Sequence, residues 1–193
     1  MSFEIVERPL LEPKVWRCVH RLLERNQVCA VATVAPGHRA HVNTVYFAYA
    51  PDLKLYFYSY PGTQHAANLR VNPSMAVAVF DPGQTWGHPD RGLQLFGRGL
   101  AVRGRFAREA EDVYDARFPG HVSWRVPSPL RDASPPVPYR FRPSSLKLFD
   151  EREFGAGIFV HCKVPRSWRA SQNPLVSPPR EAPPAGRAPA RRR

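Results

Sequence analysis

Cysteine and long apolar segments are both scarce in this sequence. Its 193 residues include three cysteines (Cys18, Cys29 and Cys162), which lie far apart and form no CxxC pair. This sparse, odd count argues against a disulfide framework or a zinc site and favours a reducing cytoplasm. No run of about 18 apolar residues occurs, so no transmembrane helix is expected. The N-terminus, MSFEIVERPLLEPK, carries acids and proline instead of a basic and apolar signal, so we expect a cytoplasmic protein.

The common catalytic and metal-binding motifs are also missing. The sequence has no G-x-S-x-G elbow, no HExxH, no EF-hand loop and no Walker sequence, and no Ser/His/Asp triad can be identified in it. Its seven histidines are scattered. A site built from His38, His41 and His65 is the one metal arrangement left open. Histidines in turns are usually polar surface residues, so we expect no bound metal.

The positive charge is concentrated at the C-terminus. The net charge is +12. Residues 163–193 hold eight Lys/Arg and one acid, or +7, and residues 1–162 hold the remaining +5. We therefore predict one domain over 1–162 and a disordered, basic, Pro/Arg-rich tail over 163–193. A basic tail can attract nucleic acid electrostatically, but Trp168 is its only aromatic residue, so nucleic acid is not an expected partner.

Short strands dominate the rest of the chain, and three helices interrupt them. Apolar and β-branched runs predict strands over 28–35, 40–50, 75–80, 93–103, 137–150 and 155–161, and another from Leu55. Helices are predicted over 14–25 and 107–118 and between Thr63 and Asn72. Residues 4–13 are a predicted lead-in arm, residues 119–136 a loop and the main candidate for internal disorder, and Pro143 a candidate strand break. Hairpin links without βαβ alternation predict a mainly β fold, an antiparallel barrel of six to seven strands with about three flanking helices.

One segment, residues 55–80, organises the chain as strand, tight turn, short helix and strand. Pro61-Gly62 marks the turn, Thr63 is a predicted helix N-cap, and Asn72-Pro73 stops the helix. Thr63, Gln64 and His65 thus lie where the free N–H groups of a helix N-terminus can bind an anion such as a phosphate. The alternative is an ordinary capped helix between two strands.

Two other strands offer polar groups near this anion site. Asn43, Thr44, Val45 and Tyr46 lie one hairpin away, and Gln94 begins a strand whose glycines admit close approach. A flavin needs an anion cradle for its phosphate, amide and backbone donors for its ring edge, and an apolar wall for the ring. These residues therefore predict a flavin-type site, in which the cofactor supplies the redox chemistry.

The pattern Y-[ST]-x-x-G-[ST]-x-[KH]-A-x-x-[LI]-x-x-N-P, here Tyr58 to Pro73, resembles the phosphate segment of the FMN-binding split-barrel family, which includes pyridoxamine 5'-phosphate oxidase. The resemblance covers residues from about 27 to 104 and implies a split barrel and a homodimer. It implies that Tyr58 and Ser59 line the FMN, that Thr63, Gln64 and His65 hold its phosphate, and that residues 43–47 run along its ring. Gln94, before Gly99-Leu100-Ala101, would contact the flavin from the partner subunit.

Several residues depart from the family pattern and change what the resemblance implies about FMN affinity and substrate. Gln64 and His65 replace an arginine and a lysine, so FMN binding should be weaker, and weaker still at high pH where His65 is neutral. Ala48 stands at the substrate-binding lysine of the oxidase, whose C-terminal Trp and Arg-x-His elements have no counterpart here. The chain is more similar to a poorly characterised bacterial branch, which shares T-x-H-A, R-G-[VL]-Q-x-x-G, Y-x-x-R-F-P and a late F-G.

The helix over 107–118 carries two further candidates. Tyr114 and Arg117 are one turn apart and share a face. The oxidase binds substrate phosphate with a Tyr and an Arg on the matching helix, so the resemblance implies a substrate-binding pair. The alternative is that Tyr114 packs and Arg117 caps.

These observations predict an FMN-dependent oxidoreductase that acts on an unidentified small molecule, with two active sites at the interface of a homodimer. The alternative is a non-catalytic split-barrel module that binds a flavin, the deazaflavin F420 or haem. The loss of fixed charge at Gln64 and His65 motivates that alternative.

Overall fold

The computed structural model describes residues 3–121 and 134–166. In these ranges the chain forms nine strands and four α-helices. The strands are β1 (Glu4–Glu7), β2 (Val28–Ala35), β3 (Arg39–Tyr46), β4 (Ala48–Tyr49), β5 (Leu55–Ser59), β6 (Ser74–Phe80), β7 (Arg91–Ala101), β8 (Val137–Asp150) and β9 (Ile158–Lys163). The helices are α1 (Pro13–Arg25), α2 (Gln64–Val71), α3 (Arg105–Arg117) and α4 (Glu151–Phe154).

The strand pairing closes a barrel. Antiparallel pairs join β2 to β3, β2 to β6, β6 to β7, β7 to β8, and β8 to β5. The chain passes from β3 through Phe47 into β4, which pairs with β5 and completes the circuit. β5 pairs with residues 137–141 of β8, whereas β9 pairs with residues 145–149. The long strand β8 is therefore shared by the barrel and by an extension of β9 and β1, as in a split barrel.

The core lies inside the barrel and under α1. Alternate residues of the strands point inward, such as Val31, Val77 and Leu95. The helix α1 contributes the apolar face that its sequence predicts, with Trp16 fully buried as well. A second, smaller cluster fills the space between α3 and the outer side of β4 and β5. Within the described ranges, no helix is long and apolar enough to cross a bilayer.

The predicted mainly β, antiparallel fold is confirmed, and all seven predicted strands are present, with three local differences. The arm at residues 4–13 contains β1, because a parallel partner in β9 satisfies its backbone groups. The strand predicted over 40–50 is interrupted at Phe47, where the chain turns from one side of the barrel to the other. β8 continues through Pro143, because a bulge leaves Ser144 without a register partner between Gly97 and Phe96.

Two other differences concern the ends of the domain. The last strand begins at Ile158, because Gly155 and Gly157 adopt positive φ angles of 99° and 76°. β9 includes Lys163, and Val164 is buried, so the folded part passes the predicted boundary at residue 162. The rest of the predicted tail, from residue 167, and most of the predicted loop over 119–136 lie outside the described residues.

Candidate functional site

His65 is the centre of a buried hydrogen-bond chain at the start of α2. The side chain is 4% exposed, and its Nε2 lies 2.6 Å from Ser59 Oγ and 3.2 Å from Thr63 Oγ1. Asn43 Nδ2 lies 3.4 Å from His65 Nδ1. The Thr63 hydroxyl donates to the Tyr60 carbonyl oxygen at 2.9 Å. These hydrogen bonds join the turn between β5 and α2 to the middle of β3.

The orientation of the Asn43 amide favours one tautomer of His65. With the amide nitrogen of Asn43 facing His65 Nδ1, Nδ1 accepts and Nε2 carries the ring proton. Nε2–H then donates to Ser59 Oγ. Burial lowers the pKa of His65 from its ordinary 6.5, and the nearby His41 lowers it further. His65 is therefore neutral at neutral pH, and it cannot act as a base toward the Ser59 hydroxyl in this arrangement.

The N-terminus of α2 offers neutral donors to an anion. Thr63 is at the N-cap position as predicted, but its side chain makes no capping bond, since its hydroxyl donates to Tyr60. The first intrahelical bond is donated by Ala67 N to Thr63 O. The N–H groups of Gln64, His65 and Ala66 precede it and have no intrahelical acceptor. These donors fit an oxyanion such as a phosphate. Gln64 and His65 add no fixed positive charge, and the guanidinium of Arg70 donates to the carbonyl oxygen of Pro61 in the preceding turn at 3.0 Å.

The Gln64 side chain points along the helix instead of toward its start. Its Nε2 donates to Asn68 Oδ1 at 2.8 Å, and Asn68 Nδ2 donates to Thr33 Oγ1 at 2.9 Å. Asn68 and Thr33 are both buried. They form a polar layer under α2, for which the signal in the sequence is one polar residue within each apolar run.

The residues predicted to frame a flavin ring divide between two sides of the barrel wall. On β3, Asn43 and Val45 point inward, whereas Thr44 and Tyr46 are exposed. Ser59 points inward toward His65, whereas its neighbour Tyr58 points outward and packs against Tyr114. This division follows from the alternation of side chains along a strand. Five of the candidates therefore converge: Asn43, Ser59, Thr63 and His65 by direct contact, and Gln64 as their neighbour.

The outer side of β2 and β6 is a surface of small apolar residues, which we call the outer alanine face. Ala30 is opposite Ala78, and Ala32 is opposite Ala76. On one flank Thr44 is opposite Ala30. On the other flank Gln94 is opposite Ala78. A hollow of about 450 Å³ adjoins this face, lined in part by Val28, Ala30, Thr44 and Phe80. The alternating alanines of VCAVATVA and SMAVAVF were the signal for it.

Tyr114 and Arg117 use their polar atoms on backbone carbonyls. Tyr114 Oη donates to Tyr46 O at 3.2 Å. Arg117 Nη2 donates to Leu23 O at 2.7 Å and to Asn26 O at 2.6 Å, so it caps the end of α1. These contacts match the alternative in which Tyr114 packs and Arg117 caps. A substrate-binding role for this pair stays a prediction.

The three cysteines are buried and poorly reactive. Burial raises the pKa of Cys29 and of Cys162 to about 12, and that of Cys18 to about 11. A thiol that stays protonated is a weak nucleophile and a weak metal ligand. Among the described residues, no three His, Cys, Asp or Glu side chains are grouped to hold a metal ion.

The sequence matches the family model described as Pyridoxamine 5'-phosphate oxidase over residues 17–139. No match is found among the curated proteins. Several solved structures share the fold at low sequence identity. A protein of unknown function from Agrobacterium tumefaciens str. C58 is 20% identical with a TM-score of 0.58, over 71% of this chain and 56% of that one.

Two other similar structures have a stated ligand. A FAD-binding protein from Mesorhizobium loti is 22% identical with a TM-score of 0.54, over 70% of this chain and 93% of that one. A heme binding protein from Mycobacterium smegmatis is 14% identical with a TM-score of 0.61, over 82% of this chain and 59% of that one. The chain thus spans little more than half of the Agrobacterium and Mycobacterium proteins. At these identities the likeness shows the fold alone.

Proposed function

The chain belongs to the pyridoxamine 5'-phosphate oxidase family, and on that premise we propose that it is an FMN-dependent oxidoreductase that works as a homodimer. The observation that carries the proposal is that the helix N-terminus at Thr63–His65 contacts Asn43 on β3, whose next residue, Thr44, borders the outer alanine face on the other side of the same strand. The helix N-terminus is suited to a phosphate, and the outer alanine face is suited to a flat apolar ring or a second subunit.

Neutral groups would hold the FMN phosphate. The N–H groups of Gln64, His65 and Ala66 point toward the anion, and the helix dipole adds a partial positive charge. The neutral His65 acts through position: its bonds to Ser59 and Asn43 orient the turn that presents these donors. We therefore replace the expected loss of affinity at high pH by a flat dependence through neutral pH, since His65 is already uncharged there.

The ring would lie on the outer side of the barrel. Thr44 lines the hollow of the outer alanine face, and Tyr46 is exposed two residues farther along the same strand. Gln94 borders the same face and would reach the flavin bound mainly by a second copy. Bound FMN would supply hydride and electron transfer, while the protein orients it and excludes water. Asn43, Val45 and Ser59 would act from behind this wall, as supports, whereas Tyr58 would support the barrel from its outer side, where it packs against Tyr114.

The substrate is a small molecule of a class that differs from the oxidase's. Ala48, at the position of the oxidase's substrate-binding lysine, is fully buried. Arg117 is occupied by the end of α1. The chain therefore lacks one cationic contact that the family resemblance implies for a phosphorylated substrate, and Arg117 would have to leave the end of α1 to supply the other.

The alternative is a non-catalytic module that binds a flavin, F420 or haem. The neutral side chains at Gln64 and His65 support it, because a ligand held mainly by apolar contacts would need no fixed cation from these two positions. A haem band in the absorbance spectrum, together with no oxidation of reduced nicotinamides in the presence of flavin and an electron acceptor, would favour this alternative.

The test is a titration of the purified protein with FMN, followed by absorbance and flavin fluorescence. Two variants of the exposed Gln64 change charge beside the phosphate. Both remove the amide that donates to Asn68, so the difference between the two variants isolates the effect of charge. We expect Q64R to tighten FMN binding and Q64E to weaken it, each by about tenfold, because one unit charge near a phosphate changes its energy by about 1–2 kcal/mol.

Riboflavin, which lacks the phosphate, is the matched control ligand. Its affinity should be the same for Q64R, Q64E and the wild type. A third variant, A78R, places a charge in the outer alanine face and should both dissociate the dimer and weaken FMN binding. If Q64R and Q64E bind FMN as the wild type does, the phosphate does not lie at α2 and the proposed site is wrong.

A further inference from the structure

A cleft of about 710 Å³ opens on the outer side of β7 and β8, beside the bulge at Ser144. Three parts of the chain form it. One wall is the outward residues of the two strands, another is the turn that precedes β5, and the third is the segment after β9, residues 164–166. The cleft is separate from the site at the start of α2, since Lys54 and Ser59 lie at opposite ends of β5, about 16 Å apart at the usual rise of a strand.

Arginines dominate this cleft. Arg98 on β7 is directly opposite Arg142 on β8, and Arg140 follows two residues along the same face. Arg166 adds a charge from the segment after β9. Like charges directly opposite each other destabilise a strand pair. The register thus places two arginines of like charge directly opposite each other on the same face of the sheet.

The cations of the cleft differ in whether they are neutralised. Lys54 Nζ lies 2.7 Å from Asp52 and 2.9 Å from Glu109, so that part of the rim carries its own countercharge. Arg140 lies 4.2 Å above the ring of Phe106. In the described part of the chain, no carboxylate lies within ion-pair distance of Arg98, Arg142 or Arg166.

We propose that this cleft binds a small molecule that carries a diphosphate group. Three guanidinium groups without a carboxylate partner in residues 3–121 and 134–166 match the charge of a diphosphate, about −3 at neutral pH. Arginine is also suited to bidentate contacts with phosphate oxygens. The volume lies in the range of small-ligand sites. Phe96 and Leu100, 39% and 46% exposed, line the same cleft and offer apolar contact to the rest of the molecule.

The shape and composition favour a small molecule over a nucleic acid. A single strand needs a series of aromatic stacking platforms, and Phe96 is the one aromatic residue among the described residues that line the cleft. A flat basic surface suits a duplex, whereas here the charges converge in a concave space. Both nucleoside diphosphates and inorganic pyrophosphate carry the required group, and the two are separated by experiment.

The test is calorimetric titration of the full-length protein with ADP, inorganic pyrophosphate and inorganic phosphate, at low and at physiological ionic strength. We expect both diphosphates to bind more tightly than phosphate. The variant R98A/R142A should weaken them by about tenfold or more, since each removed guanidinium takes with it a charge-assisted hydrogen bond. R98K/R142K should fall between, because lysine keeps the charge and loses the bidentate geometry.

The matched control is R103A/R108A, which removes two exposed arginines that do not line the cleft. It should bind ADP as the wild type does. R98A/R142A should melt no lower than the wild type without ligand, because it relieves a repulsion, so weaker binding cannot come from unfolding. Tighter binding of ADP than of pyrophosphate assigns the cleft to nucleotides, and the reverse assigns it to inorganic diphosphate.

Four results would overturn the proposal. The first is no binding of either diphosphate, and the second is an equal loss in R103A/R108A. The third is binding of a single-stranded oligonucleotide that depends on Arg98 and Arg142 while ADP does not bind. The fourth is loss of FMN binding in R98A/R142A, which would assign these arginines to the flavin site.

Discussion

Replacing Arg117 by alanine should destabilise the fold, because its guanidinium group joins α3 to the end of α1. Nη2 donates to the carbonyl oxygens of Leu23 at 2.7 Å and Asn26 at 2.6 Å, and the guanidinium lies 4.7 Å from the ring centre of Phe47. Burial lowers the pKa of Arg117, so the charged form is partly desolvated. Nη1 has no partner among the described residues.

These contacts determine how much the free energy of unfolding should fall in R117A. Two charge-assisted hydrogen bonds at about 1.5 kcal/mol each and a cation–π contact of about 1 kcal/mol stabilise the fold. The buried and unpaired Nη1 offsets about 1 kcal/mol of this. R117A should therefore lower the free energy of unfolding by about 3 kcal/mol, and Tm by about 9 °C for a domain of this size. R117K should lose about half as much, because one ammonium group cannot reach both carbonyls in the same geometry.

Urea unfolding followed by circular dichroism, with thermal melts as a second measurement, tests this expectation. Arg108, exposed on the same helix, is the control, and R108A should change the free energy of unfolding by less than about 0.5 kcal/mol. An R117A protein as stable as R108A would refute the structural role. If that stable variant also lost affinity for a phosphorylated substrate, the substrate-binding role implied by the family resemblance would be correct.

Two other predictions concern the bulge and the buried histidine. In G97A the new methyl group would press on the carbonyl oxygen of Arg142, which belongs to the backbone and cannot move aside. We therefore expect the free energy of unfolding, measured in urea, to fall by about 2–3 kcal/mol. G62A is the control, because nothing lies within 4 Å of its new methyl group, and its stability should be close to that of the wild type. If G97A and G62A were equally stable, the bulge would be contradicted. The lowered pKa of His65 favours its neutral form in the folded state. Stability should therefore fall as pH drops below about 6.5, where the unfolded state takes up the proton first. Urea unfolding from pH 7.5 down to 5 should show a smaller fall in the free energy of unfolding for H65Q than for the wild type. The fall that remains is due to His20, because burial also lowers the pKa of that residue. Identical pH profiles for the two proteins would contradict a buried neutral His65.

The local patterns of the sequence were enough for the fold class. Alternating apolar residues in β2 and β6 predicted half-buried strands, and the spacing of apolar residues in α1 predicted its buried face, because both periodicities follow from backbone geometry. The turn at Pro61-Gly62 and the stop at Asn72-Pro73 placed α2 correctly, since proline and glycine act through their own backbone angles. The edge strand β1 was not predictable in this way, because its partner β9 lies more than 150 residues away in sequence.

The candidate site was only partly accessible from the sequence. The chain itself determined which residues have hydroxyl, amide and imidazole groups near the start of α2. The tertiary structure alone decided that His65 is neutral, because its burial depends on β3 and β5 folding around it. The same holds for the capping role of Arg117, whose acceptors lie in α1, and for the arginine cleft, whose cations come from distant segments. Charge state and ligand geometry depend on neighbours that are distant in sequence, whereas strand and helix depend on neighbours a few residues apart.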